Sequence, residues 1–309
     1  MKSILNKANV NLGSLVVRRG GRPPAAIEVG PLGVVAACGK PPVFAFAPLA
    51  EGVLVPGWSE ANLCNPAAVA EAIRAVLGQV NPGKRAVSLV LPDSSVRVFV
   101  LDFEAFSSKV SEALPILRFR LRKMVPFDIE HAMVSYQVLT HTKEETRVLV
   151  VVLPGTVLAE YEAVVRQAGH EPGAVLSSSL AALEAIHSAG SLEAVLSVHL
   201  SPQALTTCIS TASDLQLYRS MELPEAAATR VVEIQRGVAV AVAYYEDKLQ
   251  AAPAGLLYSG YLPVDEFKSL IEMPELAVDE LVPHPQTGVA SSLGQAALAG
   301  VTGAMAGAN

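Results

Sequence analysis

Twice along this chain a set of short apolar runs gives way to a stretch of helical period, and this doubled order restricts the fold more than any single motif. From Ala25 the runs AAIEV, GVVAAC and VFAFAP follow at close spacing and predict a β-meander. Asn65-Pro66 then opens PAAVAEAIRAVLG, where Val69, Ile73, Val76 and Leu77 recur at helical spacing and Pro66 suits a first turn. RAVSLVLP and VRVFVLDF predict two strands around a turn at Pro92-Asp93-Ser94-Ser95. A basic helix is expected over Leu114 to Val125 with Leu117, Leu121 and Met124 on its core face, and a hairpin across Lys143-Glu144-Glu145. A helix from Thr156 to Ala168 should stop at Gly169 through a left-handed cap. The order then restarts. A short helix (Ser178 to Ser188) precedes strands at AVLSVHL, ALTTCIS and LQLYRSMEL, a long helix (Ala226 to Leu249), a strand at GLLYSGYL and closing helices. No sequence repeat accompanies this, so a duplicated α/β architecture is inferred from element order alone.

Composition narrows the class. Of 309 residues, 51% are hydrophobic and 17% charged, which excludes a largely disordered chain, and the length allows two domains. A net charge of −6 argues against general affinity for nucleic acid. Cys38, Cys64 and Cys208 form no CxxC pair, which points to a reducing cytoplasm. No secretory signal is expected in residues 1–24, which read as an irregular extension closed by Gly20, Gly21, Pro23 and Pro24. The uncharged tail from Thr287 to Asn309 is rich in Ala, Gly and Ser, so it is expected as a buried small-residue helix rather than a membrane span.

The segment KMVPFDIEHAMVSYQVL, Lys123 to Leu139, has a basic helix halted at Pro126, a bulky turn and then an alternating strand. It resembles the corresponding motif of PilM proteins, actin-like cytoplasmic components of type IV pilus assembly built like the cell-division protein FtsA. RAVSLVLPDSSVRVFVLDF is similar to the paired strands before that family's inserted subdomain, and VVEIQRGVAVAVAYYEDKL resembles its long helix, with Glu233, Ile234 and Arg236 in the Glu-Ile-x-Arg pattern. The resemblance implies an α/β, actin-like (ribonuclease H-like) duplicated fold, two lobes with a small inserted subdomain. Residues 25–188 would form the first lobe, with the insert at about 104–172, and residues 189–309 the second.

The resemblance also implies a nucleotide site between the lobes, made by two Gly-containing hairpins with an Asp before each turn to organise a metal. The first falls at IEVGPLGVVAA, where Glu28 stands for Asp, Gly30 and Gly33 are kept, and Pro31 removes a backbone donor. The second falls at LSVHLSPQALTTCIS, where His199, Ser201 and Pro202 occupy the place of Asp-x-Gly. The adenosine-side turn reads Ser259-Gly260-Tyr261, where Tyr261 would have to swing aside for a purine. Glu28, Gly30, Gly33, Ser201, Ser259 and Gly260 are therefore expected as a vestigial site for ATP with Mg²⁺, with hydrolysis lost and no catalytic or metal-ligating residue assigned. Each glycine also reads as a plain tight turn.

Other signals are weaker. GQVNPGKR (Gly78 to Arg85) nearly matches a phosphate-binding loop, but Arg85 replaces the required hydroxyl and the loop runs from helix into strand. The histidines show no metal spacing, and no G-x-S-x-G elbow occurs. Arg118, Arg120, Arg122 and Lys123 read as a solvated helix face, or as a contact for an acidic partner or anionic lipid. The function the resemblance implies is a scaffold, peripheral to the inner membrane, that binds the short cytoplasmic tail of a PilN-like membrane protein. The alternatives are an active actin-like ATPase, a sugar-kinase-like phosphotransferase or a type II secretion counterpart.

Overall fold

The structure, a computed structural model, describes residues 16–17, 22–59, 61–188, 194–211, 214–284, 293–294 and 296–306. Two sheets of matching topology and a smaller third sheet organise them. In the first, β1 (Val16–Val17) precedes an antiparallel meander of β2 (Ala25–Gly30), β3 (Gly33–Cys38) and β4 (Val43–Pro48). Helix α1 (Pro66–Val80) then leads to β5 (Ala86–Leu91), which lies parallel to β2. Asn65 caps α1 by accepting from Ala68 N–H, Pro66 fills the first turn, and Asn81 closes the helix in the left-handed region.

A 3-10 turn at Asp93–Ser95 sends the chain out of the first sheet into β6 (Arg97–Phe103). The three-stranded sheet, in the order β6-β8-β7, is formed with β7 (Ala132–His141) and β8 (Thr146–Pro154), and α2 (Val110–Leu121) packs on it through Leu117 and Leu121. The chain returns through α3 (Gly155–Gln167), ended at Gly169 with φ +92°, to β9 (Glu171–Ser177), which lies parallel to β5. Helix α4 (Ser178–Ser188) leads toward the second sheet.

There the plan repeats. β10 (Val195–Leu200), β11 (Ala204–Ser210) and β12 (Leu215–Glu222) form the meander. Helix α5 (Ala227–Leu249) leads to β13 (Leu256–Gly260), parallel to β10, and α6 (Val264–Ile271) leads to β14 (Val278–Glu280), parallel to β13. The five-strand orders β4-β3-β2-β5-β9 and β12-β11-β10-β13-β14 are the same path traced twice. The duplication inferred from element order is thus visible in the sheets.

Several expectations need correction. RAVSLVLP and VRVFVLDF do not pair. β5 joins the first sheet and β6 the third, because the Asp93–Ser95 turn redirects the chain between layers. The small subdomain consequently takes in β6, before residue 104, while Val157, Leu158, Tyr161 and Val165 of α3 belong to the first sheet's core. Helix α2 starts and ends four residues earlier than expected, which leaves Met124 beyond it and exposed. Arg118 is not a solvated cation, since it donates to the carbonyls of Ile129, Glu130 and Ala132.

Most of residues 1–24 lie outside the described residues, but the described part is not irregular. Val16–Val17 pairs with Ala174 and Val175, and buried Arg22 forms an ion pair with Glu184 at 3.2 Å. The closing helix α7 (Ala299–Ala306) is buried, as its small residues predicted; residues 287–292, 295 and 307–309 of the tail lie outside the described residues. Yet it packs on α4 and on the first sheet, with Val301, Ala304 and Met305 against Ala26, Val35 and Val90, although it follows the second sheet in sequence. Glycine is required there, because a Cβ on Gly303 would run into the Ala181 carbonyl and one on Gly300 into the Glu28 carboxyl.

Candidate functional site

The cleft between the two large sheets opens where both meander hairpins point at each other. The β2–β3 turn brings Gly30, Pro31 and Gly33, the β10–β11 turn brings Ser201 and Pro202, and Tyr261 follows β13. Glu28, Gly30, Gly33 and Ser201 all line one cavity. Ser259 and Gly260 lie behind it, Ser259 in contact with His199 and Gly260 packed where a Cβ would meet Tyr258 Oη and, at 2.7 Å, the Leu200 carbonyl. The residues singled out in sequence therefore do converge.

Their chemistry is set by burial. Glu28 is half-buried in the cavity wall, its Oε1 hydrogen-bonded to Ser178 Oγ and its Oε2 shielded from solvent without a hydrogen-bond partner. Burial pushes its pKa up to about 8; the Ser178 contact opposes the rise and the charge of Asp93 adds to it. Near neutrality Glu28 therefore keeps its proton. Ser178 Oγ lies 2.9 Å from His199 Nε2, and His199 Nδ1 lies 2.8 Å from Ser259 Oγ. Burial lowers the His199 pKa, so the imidazole is neutral. Ser178 Oγ–H donates to Glu28 Oε1, so the neutral imidazole donates its Nε2–H to Ser178 Oγ and accepts at Nδ1 from Ser259 Oγ–H. The chain begins on β2 of the first sheet and ends on β13 of the second.

A second buried contact crosses the same gap. Asp93 Oδ1 accepts from Ser179 N–H at the start of α4, and Asp93 Oδ2 accepts from Thr206 Oγ1 on β11 at 2.7 Å. Ser179 Oγ meets Tyr218 Oη of β12 at 2.8 Å. The positive end of α4, where backbone donors would favour an incoming anion, is thus already occupied by a side-chain carboxylate. Sequence reading missed Asp93, Ser178 and Ser179 as site residues. The signal was their place just after the carboxyl ends of parallel strands β5 and β9, where open α/β sheets build their sites.

A magnesium-bound nucleotide does not fit these residues. The Glu28 carboxyl is engaged by Ser178 Oγ, and its pKa, pushed up to about 8 by burial, favours the neutral acid over a magnesium ligand. The cavity measures about 60 Å³, whereas small-molecule sites run to roughly 300–1,000 Å³. Ala296 and Ala297, leading into α7, line it from the other side.

A second cavity, of about 280 Å³, lies between edge strands β6 and β12, lined by Val96, Arg97, Phe99, Ala204, Ser220 and Glu222 among others. Arg97 reaches Glu222 at 2.6 Å, Trp58 Nε1 donates to the same carboxylate, and the guanidinium lies 5.5 Å from the Trp58 ring centre. Trp58 in turn contacts Phe127 of the small subdomain, with ring centres 6.3 Å apart.

No family model matches the chain, and no curated protein matches it in sequence. Solved structures do. A chain of a PilM-PilN type IV pilus biogenesis complex superimposes with a TM-score of 0.69 at 17% identity, covering 91% of this chain and 97% of that one. The cytoplasmic domain of EpsL, an inner-membrane component of the type II secretion system of Vibrio cholerae, gives 0.48 at 14% identity, covering 88% and 92%. A Bacteroides thetaiotaomicron protein of unknown function with an actin-like ATPase fold gives 0.46 at 13%, covering 82% and 90%. The chain has a PilM-like form of the actin-like fold, two duplicated lobes carrying a small inserted subdomain.

Proposed function

We propose that this chain is a cytoplasmic docking scaffold of type IV pilus assembly, held at the inner membrane through its partner, and that it does not hydrolyse ATP. The partner is the short cytoplasmic tail of a PilN-like membrane protein. The observation that supports this reading is a PilM-like fold whose inter-lobe cleft is narrow and bridged by the Glu28–Ser178–His199 and Ser179–Asp93–Thr206 hydrogen bonds. A rigid two-lobed body suffices for docking, because binding an extended peptide needs shape and exposed backbone rather than turnover.

The groove between β6 and β12 supplies both. Each strand is the edge of its sheet, so its outward backbone groups are open to an added strand. Phe99 and Val96 offer apolar contact, and Arg97 and Glu222 offer a charge of either sign. Isothermal titration with the N-terminal peptide of a PilN-like protein from the same genome tests the reading, with and without Mg-ATP. Saturable binding that ATP leaves unchanged and Arg97→Glu weakens is the expected result; no binding in either condition refutes the scaffold. Sustained phosphate release from Mg-ATP, abolished by Glu28→Gln, would instead establish an active ATPase or phosphotransferase.

A further inference from the structure

The outer face of α2 carries a feature that the docking groove does not use. Ile116, Phe119, Arg120 and Lys123 recur at i, i+3, i+4 and i+7, so they form one stripe along the helix and the turn after it. The opposite face buries Leu117 and Leu121 in the small subdomain's core. Phe119 is 77% exposed and Ile116 39%, and neither lines any described cavity. Among the described residues Arg120 and Lys123 have no ion-pair partner, whereas Arg122 is paired with Glu130 at 2.7 Å.

We propose that this stripe rests on an anionic membrane surface, with Phe119 inserted at the headgroup level and Arg120 and Lys123 over acidic lipid. Charge complementarity argues for that occupant: Pro115 to Phe127 holds no acid, and of its four cations Arg120 and Lys123 stand without an ion-pair partner among the described residues, beside the exposed Phe119, in a chain of net charge −6. A molecule of net negative charge gains from an anionic bilayer only through a local cationic patch, so the stripe would set an orientation as well as a contact. Shape argues the same way. Protein hot spots sit with their anchors in pockets, but Phe119 stands on a convex helix face, the arrangement of interfacial helices that wedge an aromatic into a fluid surface. The inference is independent of the peptide groove, none of whose residues lies on α2.

Co-sedimentation of the full chain with vesicles is the test, comparing pure phosphatidylcholine with phosphatidylcholine containing one third phosphatidylglycerol. Binding is expected to the anionic vesicles only and to fall as salt rises. Arg120→Gln with Lys123→Gln should lower it about 5-fold for each cation removed, and Phe119→Ser about 10-fold. Circular dichroism should show both variants folded as the parent, since neither substitution touches the core. Equal partition onto both vesicle types, no binding to either, or undiminished binding by the folded variants would overturn the proposal. So would chemical-shift changes at Phe119 with a poly-glutamate peptide in a protein that ignores anionic vesicles, because the partner would then be an acidic protein.

Discussion

Glu28→Gln isolates the buried acid at the centre of the cleft. The folded protein holds the Glu28 proton up to about pH 8, while an unfolded chain releases it near 4.5. Between those values the native state binds one proton more than the unfolded state, so stability falls as pH rises. Below 4.5 the group costs nothing, and above about 8 the cost is constant. The slope is about 1.4 kcal/mol per pH unit, for a ceiling of about 5 kcal/mol across the window. Glutamine has the shape of the neutral acid, and its amide oxygen can accept from Ser178 Oγ as Glu28 Oε1 does, so the chain to His199 and Ser259 survives. Urea unfolding of both proteins at pH 5, 6, 7 and 8 is the assay. The variant should gain on the parent with each pH step, by several kcal/mol between the ends. His284, whose pKa is raised first by its hydrogen bond to Glu280, adds stability below about 6.5 that is lost as pH rises through its folded value. It does so in both proteins and cancels in the difference. A difference that stays flat with pH, or a variant that loses ground on going alkaline, would refute the neutral-acid reading.

Two other substitutions probe the contact between the lobes and the packing of the second sheet behind it. Thr206→Val removes the β11 hydroxyl that donates to Asp93, leaving a buried carboxylate oxygen short of a partner, and should cost about 1–3 kcal/mol in chemical unfolding. Gly260→Ala forces a Cβ toward the Leu200 carbonyl and Tyr258 Oη, and should lower stability by about 1–3 kcal/mol, read as a drop in melting temperature.

What was legible in the sequence followed local rules. The Asn65-Pro66 cap, the Gly169 stop and the period-2 runs of both meanders depend on near neighbours, and each element formed where it was expected. The placement of Glu28, Gly30, Gly33 and Ser201 around one cavity was implied by the family resemblance rather than by any local rule. What escaped depended on distant packing. Nothing near Asp93 reveals that its carboxylate meets Ser179 and Thr206, 86 and 113 residues away. β5 and β6 look like a hairpin because each is a good strand beside a turn; only the two sheets' separate demands for partners split them. The raised pKa of Glu28 was equally hidden, since it arises from enclosure by α4, α7 and the second hairpin rather than from sequence neighbours.

The seat of α7 gives the molecule an order of assembly. On a ribosome, β2, β3 and β5 emerge early, yet the face they turn toward Val301, Ala304 and Met305 stays uncovered until the second sheet has been made and its last helix returns. The first half therefore cannot be completed as a separate unit, and a version cut short before Ala296 would present a bare alanine- and valine-lined surface with Glu28 open to water at its edge.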